Sequence, residues 1–498
     1  MINFKLNFFA SVFLLFSINL LGQEAGANLN WSDKIKATDL RTLGVTDEYL
    51  VIQDGFDIPS ISVLDKSHFK EVNSIDKFKP QIDGKNATFL KGIVFQNKLV
   101  ITLIRKDKNY IQRYSIPQLE LENTIEIGEV EPYLEFSVDN RQFFAASIKE
   151  PMPNVQFIMS ENKENLWILY DNSGPKKKKK VEYLYQSFTK SFTGNRSSVS
   201  INIEPEYYSR LNVFITNSGK PYIFYKKTLD TKQSYYMLDV LKQTSYPLDL
   251  QMNMVNQKIF QYKSKIQISG ICYHEKAFKL FSLIFNPEST RFEKTTYTTL
   301  ELSKTLEYAD KSTIRNANKD IYNQPILNYS IDGVKYLEDG SKYIYGEYYT
   351  NVIIMKSTEY VEHTSNEIFV AYVDKTGKLL SFNIIPKWQN YTNAIGENPA
   401  CGSYLCYLKD KELNFIFEDN PKNSNVDLHQ KHGTIKDYGN QTTICTINEN
   451  GKIKRNIWLN NKELDIYPCP FLSQEFKNGE YIIGSYLKGN FKFATLKY

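Results

Sequence analysis

The chain has 498 residues, of which 14% are aromatic, and its 61 basic residues nearly balance its 56 acidic residues. Such a length can hold about three average domains or one large repeat unit, so length alone does not set the domain count. The 35 Tyr and 31 Phe residues favour β-strands over helices. The basic residues are scattered without an aromatic platform between them, which argues against a nucleic-acid partner.

The first residues have the pattern of a secretory signal peptide. Lys5 precedes an apolar run over residues 8–21, and Gly22 and Gln23 follow it. A positive start, a short apolar core and a small residue at the cut define such a signal. We therefore expect residues 1–22 to be removed and residues 23–498 to form one exported domain, in the periplasm, at the cell surface or outside the cell.

The alternative to cleavage is an uncut N-terminal anchor. The apolar run is short for a bilayer, which requires about 20 apolar residues, and later apolar runs have only the length of strands. We therefore expect no transmembrane segment after signal cleavage. The oligomeric state is left open by the sequence.

Short runs of alternating apolar and polar residues recur along the whole chain, as expected for half-buried strands. The clearest runs are 99–104, 165–170, 213–216, 221–225, 265–271, 343–348, 368–373, 414–417 and 481–486. Turn residues separate them, with Gly219, Gly377 and Gly451 placed where a hairpin requires a positive φ angle. This pattern predicts a meander of antiparallel hairpins.

Glycines also mark a weak internal repeat. Gly270, Gly346 and Gly484 each follow an alternating run, and Gly340, Gly377 and Gly451 lie 37 and 74 residues apart, close to one and two units of a four-stranded repeat. Many short antiparallel strands protect their edges best in a ring, so we predict an all-β fold that is a single β-propeller. We expect seven blades, with six or eight possible, and a short helical insertion near residues 299–321. An array of β-sandwiches and two unrelated β domains are the alternatives.

The last third of the chain carries a family resemblance. The segments that carry it are Gly346-Glu347-Tyr348-Tyr349, Glu367-Ile368-Phe369-Val370, Ile384-Ile385-Pro386-Lys387-Trp388-Gln389 and Phe417-Glu418-Asp419-Asn420-Pro421-Lys422-Asn423. In this order they resemble uncharacterised exported β-propeller-like proteins of the Bacteroidota, over residues 330–498. The resemblance implies a secreted propeller and assigns no activity.

Chemistry-bearing motifs are few, and no catalytic residue can be assigned. The chain has no HExxH, CxxC, nucleophile elbow or phosphate-binding glycine loop. His429 and His432 share one polar stretch, and Asp419 begins an oxygen-rich one, but neither has the spacing of a zinc or calcium site. We therefore expect no metal and no cofactor.

Five cysteines leave at least one thiol outside any internal pair. Spacing permits Cys401 with Cys406 and Cys445 with Cys469, but it does not fix the connectivity. Buried cysteines acting as small apolar residues are the alternative.

The longest polar segments indicate where a partner would bind. Residues 356–366, 388–400 and 419–437 are rich in turn formers, and loops on a rigid scaffold often hold binding residues. We expect them to gather on one face, with Trp388, Tyr391 and His363 as candidate contacts. The predicted function is a non-catalytic exported propeller that binds an envelope protein or glycan. A secreted glycan hydrolase with carboxylates at the propeller channel is the alternative.

The signal-peptide hypothesis predicts a mature chain that starts near Gln23. N-terminal sequencing of exported protein tests this directly. Recovery of intact Met1 from the envelope fraction would contradict both the cleavage and the release from the membrane.

Overall fold

The structure is a computed structural model of the 498-residue chain. It describes residues 29–498 except 56–57, 131–153, 173–179, 204–206, 230–231, 249–252, 264, 294, 307–324, 355–359, 395–401, 424–434, 437–438, 440 and 478. The expected signal peptide, residues 1–22, lies outside the described residues. Within these ranges no helix is long and apolar enough to cross a membrane.

The described residues form eight sheets of four or more strands, each the blade of a β-propeller, and the strand pairing is antiparallel except between Gln389–Ala394 and Ile435–Lys436 of blade 6. In chain order, blade 1 holds β2 (Leu40–Val45), β3 (Tyr49–Asp54), β4 (Ser60–Asp65) and β5 (Glu71–Ile75). A small hairpin of β6 (Gln81–Ile82) and β7 (Lys85–Asn86) leads to blade 2, with β8 (Thr88–Phe95), β9 (Lys98–Arg105), β10 (Lys108–Ser115) and β11 (Leu121–Glu129). Blade 3 holds β12 (Asn154–Met159), β13 (Asn165–Asp171), β14 (Val181–Thr189) and β15 (Arg196–Ile201).

The next three blades follow in the same way. Blade 4 holds β16 (Tyr208–Ile215), β17 (Pro221–Leu229), β18 (Lys232–Asp239) and β19 (Thr244–Leu248). Blade 5 holds β20 (Asn253–Tyr262), β21 (Lys265–His274), β22 (Ala277–Asn286), β23 (Arg291–Phe292) and β24 (Thr296–Thr299). Blade 6 holds β25 (Gly333–Tyr336), β26 (Lys342–Ile354), β27 (Tyr360–Val373), β28 (Leu379–Ile385), β29 (Gln389–Ala394) and β32 (Ile435–Lys436).

The last two blades complete the ring. Blade 7 holds β30 (Leu405–Lys409), β31 (Glu412–Asp419), β33 (Gln441–Ile447) and β34 (Ile453–Leu459). Blade 8 combines β35 (Pro468–Lys477), β36 (Glu480–Leu487) and β37 (Asn490–Lys497) with β1 (Ile35–Lys36). Helical structure among the described residues comprises α1 (Leu302–Thr305), α2 (Asn461–Leu464) and 3-10 turns at Pro325–Asn328 and Pro421–Asn423.

The two ends of the chain meet in blade 8. Ile35 pairs with Phe491 and Lys36 pairs with Asn490, so the strand that begins the domain is the outermost strand of its last blade. From blade 8 through blades 1 to 5, the first strands of neighbouring blades contact one another, which places these strands innermost, around the channel. The ring is therefore closed by the pairing of its two ends in one sheet.

Two sequence expectations about the repeat need correction. The described residues form eight blades, at the upper limit of the expected range, and the preferred number of seven is wrong. Gly340 and Gly377 lie in two turns of the same blade, whereas Gly377 and Gly451 lie in equivalent turns of blades 6 and 7. One blade therefore takes the 74 residues that we assigned to two.

Only the first part of the expected helical insertion lies within the described residues. Strand β24 occupies residues 296–299, and α1 contributes four helical residues at 302–305. The remainder of the expected insertion, from residue 307, lies outside the described residues. The nine predicted strand segments are all confirmed.

Close backbone packing explains why glycine occurs at the ends of the alternating runs. Gly270, Gly346 and Gly484 each lie in the second strand of a blade. A Cβ atom would lie 2.2 Å from the Asn256 carbonyl oxygen at Gly270 and 1.7 Å from the Ser330 carbonyl oxygen at Gly346. A side chain at these positions would therefore push the innermost segment away from its own blade.

Adjacent blades are also linked along the perimeter. The outermost strand of one blade contacts the turn before the outermost strand of the next, or the first residue of that strand. Asn73 Nδ2 donates to the Pro117 carbonyl oxygen at 3.0 Å, and Thr298 Oγ1 donates to the Gly377 carbonyl oxygen at 3.2 Å. Arg196 donates to the Glu126 carbonyl oxygen at 2.6 Å between blades 2 and 3.

A turn of blade 3 extends across one end of the channel. Residues 160–165, here called the plug turn, connect β12 to β13. Lys163 Nζ donates to the carbonyl oxygens of Phe476 at 2.6 Å and Glu475 at 3.3 Å in blade 8. The plug turn also bonds blades 2, 4 and 5, through the pairs Gln96–Lys163, Asn162–Asn217 and Gln261–Glu161. Turns between first and second strands thus close this end, the plug end.

The close approach at Gly346 predicts a large effect of a single methyl group. We expect Gly346→Ala to lower the free energy of unfolding by about 3 kcal/mol, because overpacking forces the backbone apart. Gly84→Ala is the matched control, since no heavy atom lies within 4 Å of a Cβ at that site and only its φ of 70° opposes alanine. Denaturant unfolding of both variants tests this, and equal losses would contradict the packing explanation.

Candidate functional site

Blade 6 carries a protruding arm at the end of the propeller opposite the plug end. Strands β26 and β27 have 13 and 14 residues, whereas their neighbours β25 and β28 have 4 and 7. Their outer halves pair beyond the blade, from Tyr349 with Ser365 to Ile354 with Tyr360, and β29 pairs alongside β27. At about 3.3 Å per residue, six further residues extend the arm by roughly 20 Å. We call this end of the propeller the arm end.

A buried ion pair lies at the base of the arm. The side chains of Glu347 and Lys387 are both 0% exposed, and Lys387 Nζ lies 2.7 Å from Glu347 Oε2. The same ammonium donates to Ser365 Oγ at 2.8 Å and to Gln389 Oε1 at 2.9 Å. One lysine, located between β28 and β29, thereby joins β26, β27 and β29.

A network of buried hydrogen bonds connects the ion pair to blade 7. Gln389 Nε2 donates to the Glu418 carbonyl oxygen at 2.9 Å, and Gln389 Oε1 accepts from the Ser403 backbone N–H at 2.7 Å. Glu418 Oε2 accepts from the Gly439 backbone N–H at 3.0 Å and from the Tyr391 hydroxyl at 3.3 Å. The arm is therefore fixed to blade 7 by buried hydrogen bonds.

Two buried carboxyls of blades 6 and 7 have strongly perturbed acidity. Burial raises the pKa of Glu418 to about 8, against the opposing effect of hydrogen bonds from Gly439 and Tyr391. Burial also raises the pKa of Glu367 to about 7, and the charge of Lys387 opposes that shift. Both groups therefore carry a proton in part of the neutral pH range. Such perturbed groups are frequent at functional sites, although structural networks produce them as well.

The structure brings the three candidate contact residues together at the base of the arm. His363 and Tyr391 are opposite each other on β27 and β29, and Trp388 lies just before β29. His363 Nδ1 lies 3.0 Å from the Tyr349 hydroxyl. His363 and Tyr391 are only 8% and 3% exposed, whereas Trp388 is half-buried. Their role as partner contacts stays a prediction.

The described parts of the three polar segments also meet. Residues 360–366 and 388–394 belong to the arm, and β32 at residues 435–436 pairs with β29. Sequence reasoning placed these segments on one face, but it missed Glu347, Lys387 and Glu418. The only available signal was a lysine between Pro386 and Trp388 inside an apolar stretch, which is also the composition of an ordinary turn.

Asp419, which begins the oxygen-rich stretch, has a structural role. Its Oδ2 contacts Arg455 and accepts from Thr443 Oγ1 at 3.0 Å, while its Oδ1 accepts from Asn423 Nδ2 at 2.9 Å. Both oxygens of the carboxylate therefore have protein partners. Within the described ranges, no group of three or more His, Cys, Asp and Glu side chains is arranged to hold a metal ion. His429 and His432 lie outside those ranges.

The cysteine pairings considered from spacing are both wrong. Cys406 and Cys445 are free and buried, as is Cys272, whereas Cys469 is disulfide-bonded. Burial raises the pKa of each of the three free thiols to about 12. These three residues therefore behave as small apolar core residues.

Comparisons with known proteins found distant structural matches and no matching family. No family model matches the chain, and no curated protein matches it in sequence. A prolyl endopeptidase structure has 10% sequence identity to this chain and a TM-score of 0.39, and the alignment covers 94% of this chain and 58% of the endopeptidase. A Dos1 propeller is 9% identical with a TM-score of 0.42, covering 95% and 96%. A puromycin hydrolase is 8% identical with a TM-score of 0.33, covering 77% and 51%. At such identities the likeness is one of fold alone.

The buried ion pair predicts a strong asymmetry between single and double substitutions. We expect Lys387→Met to lower the free energy of unfolding by about 3–5 kcal/mol, because it leaves Glu347 buried without its counter-charge. Adding Glu347→Leu should recover part of that loss. Lys190→Met is the control, since its pair with Glu164 is 64% and 45% exposed and worth less than about 1 kcal/mol. If the double variant loses as much stability as the two single variants Lys387→Met and Glu347→Leu lose in sum, the account is contradicted.

The Glu418 carboxyl predicts a pH-dependent stability. Its folded pKa of about 8 lies above the ordinary 4.5, so the folded state keeps a proton that the unfolded chain releases. Stability should therefore fall as pH rises from 4.5 to 8, by up to about 1.4 kcal/mol per pH unit. Glu418→Gln should remove this component, whereas Glu362→Gln on the arm controls for loss of a carboxyl. Parallel pH profiles for wild type and Glu418→Gln would contradict the assignment.

Proposed function

We propose that this protein is an exported, non-catalytic β-propeller that binds a protein or a glycan at the bacterial cell envelope through its arm end. The observation that carries the proposal is the arm, which extends about 20 Å from blade 6 and is anchored by a fully buried ion pair. Rigidity of this kind lowers the ordering cost of binding. Loops and hairpins held on a rigid scaffold are also where binding residues concentrate.

The location rests on the sequence. Residues 1–22 have the signal-peptide pattern, and residues 330–498 resemble exported propeller-like proteins of the Bacteroidota. An exported propeller would meet envelope proteins and glycans first. We infer that one of these two classes is the partner.

Four acidic residues at the two ends of the propeller have partners within the protein, which favours binding over glycan hydrolysis. A glycosidase needs two carboxyl groups that flank a substrate. At the arm end, Glu347 and Glu418 are buried and bonded within the protein. At the plug end, Glu161 accepts from the Gln261 backbone N–H at 2.7 Å, and Glu475 pairs with Lys335 at 3.1 Å. These acids serve the fold in the arrangement described.

The test is partner capture by the exported protein. Wild type, Trp388→Ala and Leu241→Ala, all verified as folded by circular dichroism, are incubated with envelope proteins and with immobilised envelope glycans. Leu241 is 55% exposed in a turn at the plug end and serves as the control. We expect Trp388→Ala to weaken capture about tenfold or more, as loss of a central aromatic contact does, and Leu241→Ala to leave it unchanged.

Two results would contradict the proposal. Equal capture by Trp388→Ala and wild type would remove the arm end as the binding surface. Failure of wild type to retain any envelope protein or glycan would remove the binding function itself.

A further inference from the structure

Lys342 is a second buried lysine, and its surroundings differ from those of Lys387. It begins β26 and is 8% exposed. Its ammonium faces blade 5, where Nζ lies 3.4 Å from Ser282 Oγ. It is also 5.9 Å from the centre of the Tyr336 ring. The seam between blades 5 and 6 therefore encloses a cationic group.

Polar side chains of blade 5 surround this ammonium. Ser269 Oγ lies 3.1 Å from Ser282 Oγ, and Gln267 Nε2 donates to both hydroxyls at 2.5 Å and 3.2 Å. Gln267 and Ser269 are 1% and 0% exposed. Both N–H bonds of the amide are thus used, and the amide oxygen accepts from the Tyr336 hydroxyl. The cluster contains hydroxyl groups and an amide but no carboxylate.

The two buried lysines differ in the number of hydrogen-bond acceptors near their ammonium groups. A lysine ammonium has three N–H bonds to donate. Lys387 finds a carboxylate, a hydroxyl and an amide oxygen within 2.9 Å. Lys342 finds, within the described part of the chain, one hydroxyl oxygen at 3.4 Å. Two of its N–H bonds are therefore available to a further acceptor.

The charge of Lys342 is also uncompensated. Burial lowers its pKa to about 8, and no charge among the described residues contributes to the shift. Because this pKa lies above 7, the ammonium form predominates at neutral pH. A buried charge without a counter-charge is costly, so an anion that reaches it gains strong attraction.

We propose that the seam between blades 5 and 6 binds a small inorganic anion of chloride size through the Lys342 ammonium and the Ser282 hydroxyl. The strands of two blades enclose the ammonium, which restricts the ligand to a small ion. The bound anion would supply the counter-charge that Glu347 supplies to Lys387. It would also link blade 5 to blade 6. This site is independent of the partner proposed for the arm.

The experiment compares sodium chloride with sodium gluconate at equal ionic strength, so that general screening is constant and only the small anion can enter. Thermal unfolding is measured for wild type, Lys342→Met and Lys265→Met. Lys265 is the control because it is also a lysine of this pair of blades, 38% exposed and paired with Glu293. We expect chloride to raise the Tm of wild type and Lys265→Met by a few degrees, and to leave Lys342→Met unchanged.

A second measurement does not depend on any variant folding. Carbon-13 labelled lysines are titrated in wild type by NMR in the two salts, and we expect chloride to raise the pKa of Lys342 by about one unit or more, since a nearby anion favours the ammonium. An identical pKa in chloride and gluconate would refute the site. A chloride effect on Tm of the same size in Lys342→Met would refute it as well.

Discussion

The closure of a ring of sheets is the constraint on which the rest of this structure depends. Every four-stranded sheet has two edges, and an open edge exposes unpaired backbone groups to other chains. In this chain the last blade takes its outermost strand from the beginning of the domain, through Ile35 and Lys36. This two-residue strand joins the two ends of the domain, and the closed ring holds the other blades in position.

The closed ring then determines which surface is available. At the plug end, the turn over residues 160–165 reaches blades 2, 4, 5 and 8 through side-chain hydrogen bonds. At the arm end, blade 6 instead extends its strands outward. Because a protruding hairpin loses the packing of neighbouring blades, its base needs other stabilisation. Glu347, Lys387 and Gln389 provide it by linking the long strands to one another and to blade 7.

Sequence reasoning captured the local structure well, because local patterns determine it. Alternating runs marked strands, and Gly219, Gly377 and Gly451 marked hairpin turns where φ is 81°, 92° and 75°. Blade counting failed because outer strands such as β1 and β23 have only two residues and give no periodic signal. The repeat was also misjudged because a turn glycine looks alike in different positions of a blade, as Gly340 and Gly377 show.

The candidate site could be predicted only in part, for a different reason. Trp388, Tyr391 and His363 were noticeable as aromatic or titratable residues in polar segments, and the structure does place them close together. Glu347 and Lys387 are separated by 40 residues and have no motif. Their pairing follows from the register of β26, β27 and the segment before β29, which depends on the whole blade. Burial then determines the pKa of Glu418, and burial is a property of the fold.

Hydrogen–deuterium exchange of the arm tests the central claim that it is a rigid platform fixed by the buried ion pair. In wild type we expect the amides of 349–353 and 389–393 that are bonded in the ladders to be protected nearly as well as those of β28. In Lys387→Met, protection should fall in the arm while β28 retains most of its own. Rapid exchange of the arm in wild type, or unchanged protection in the variant, would contradict the account.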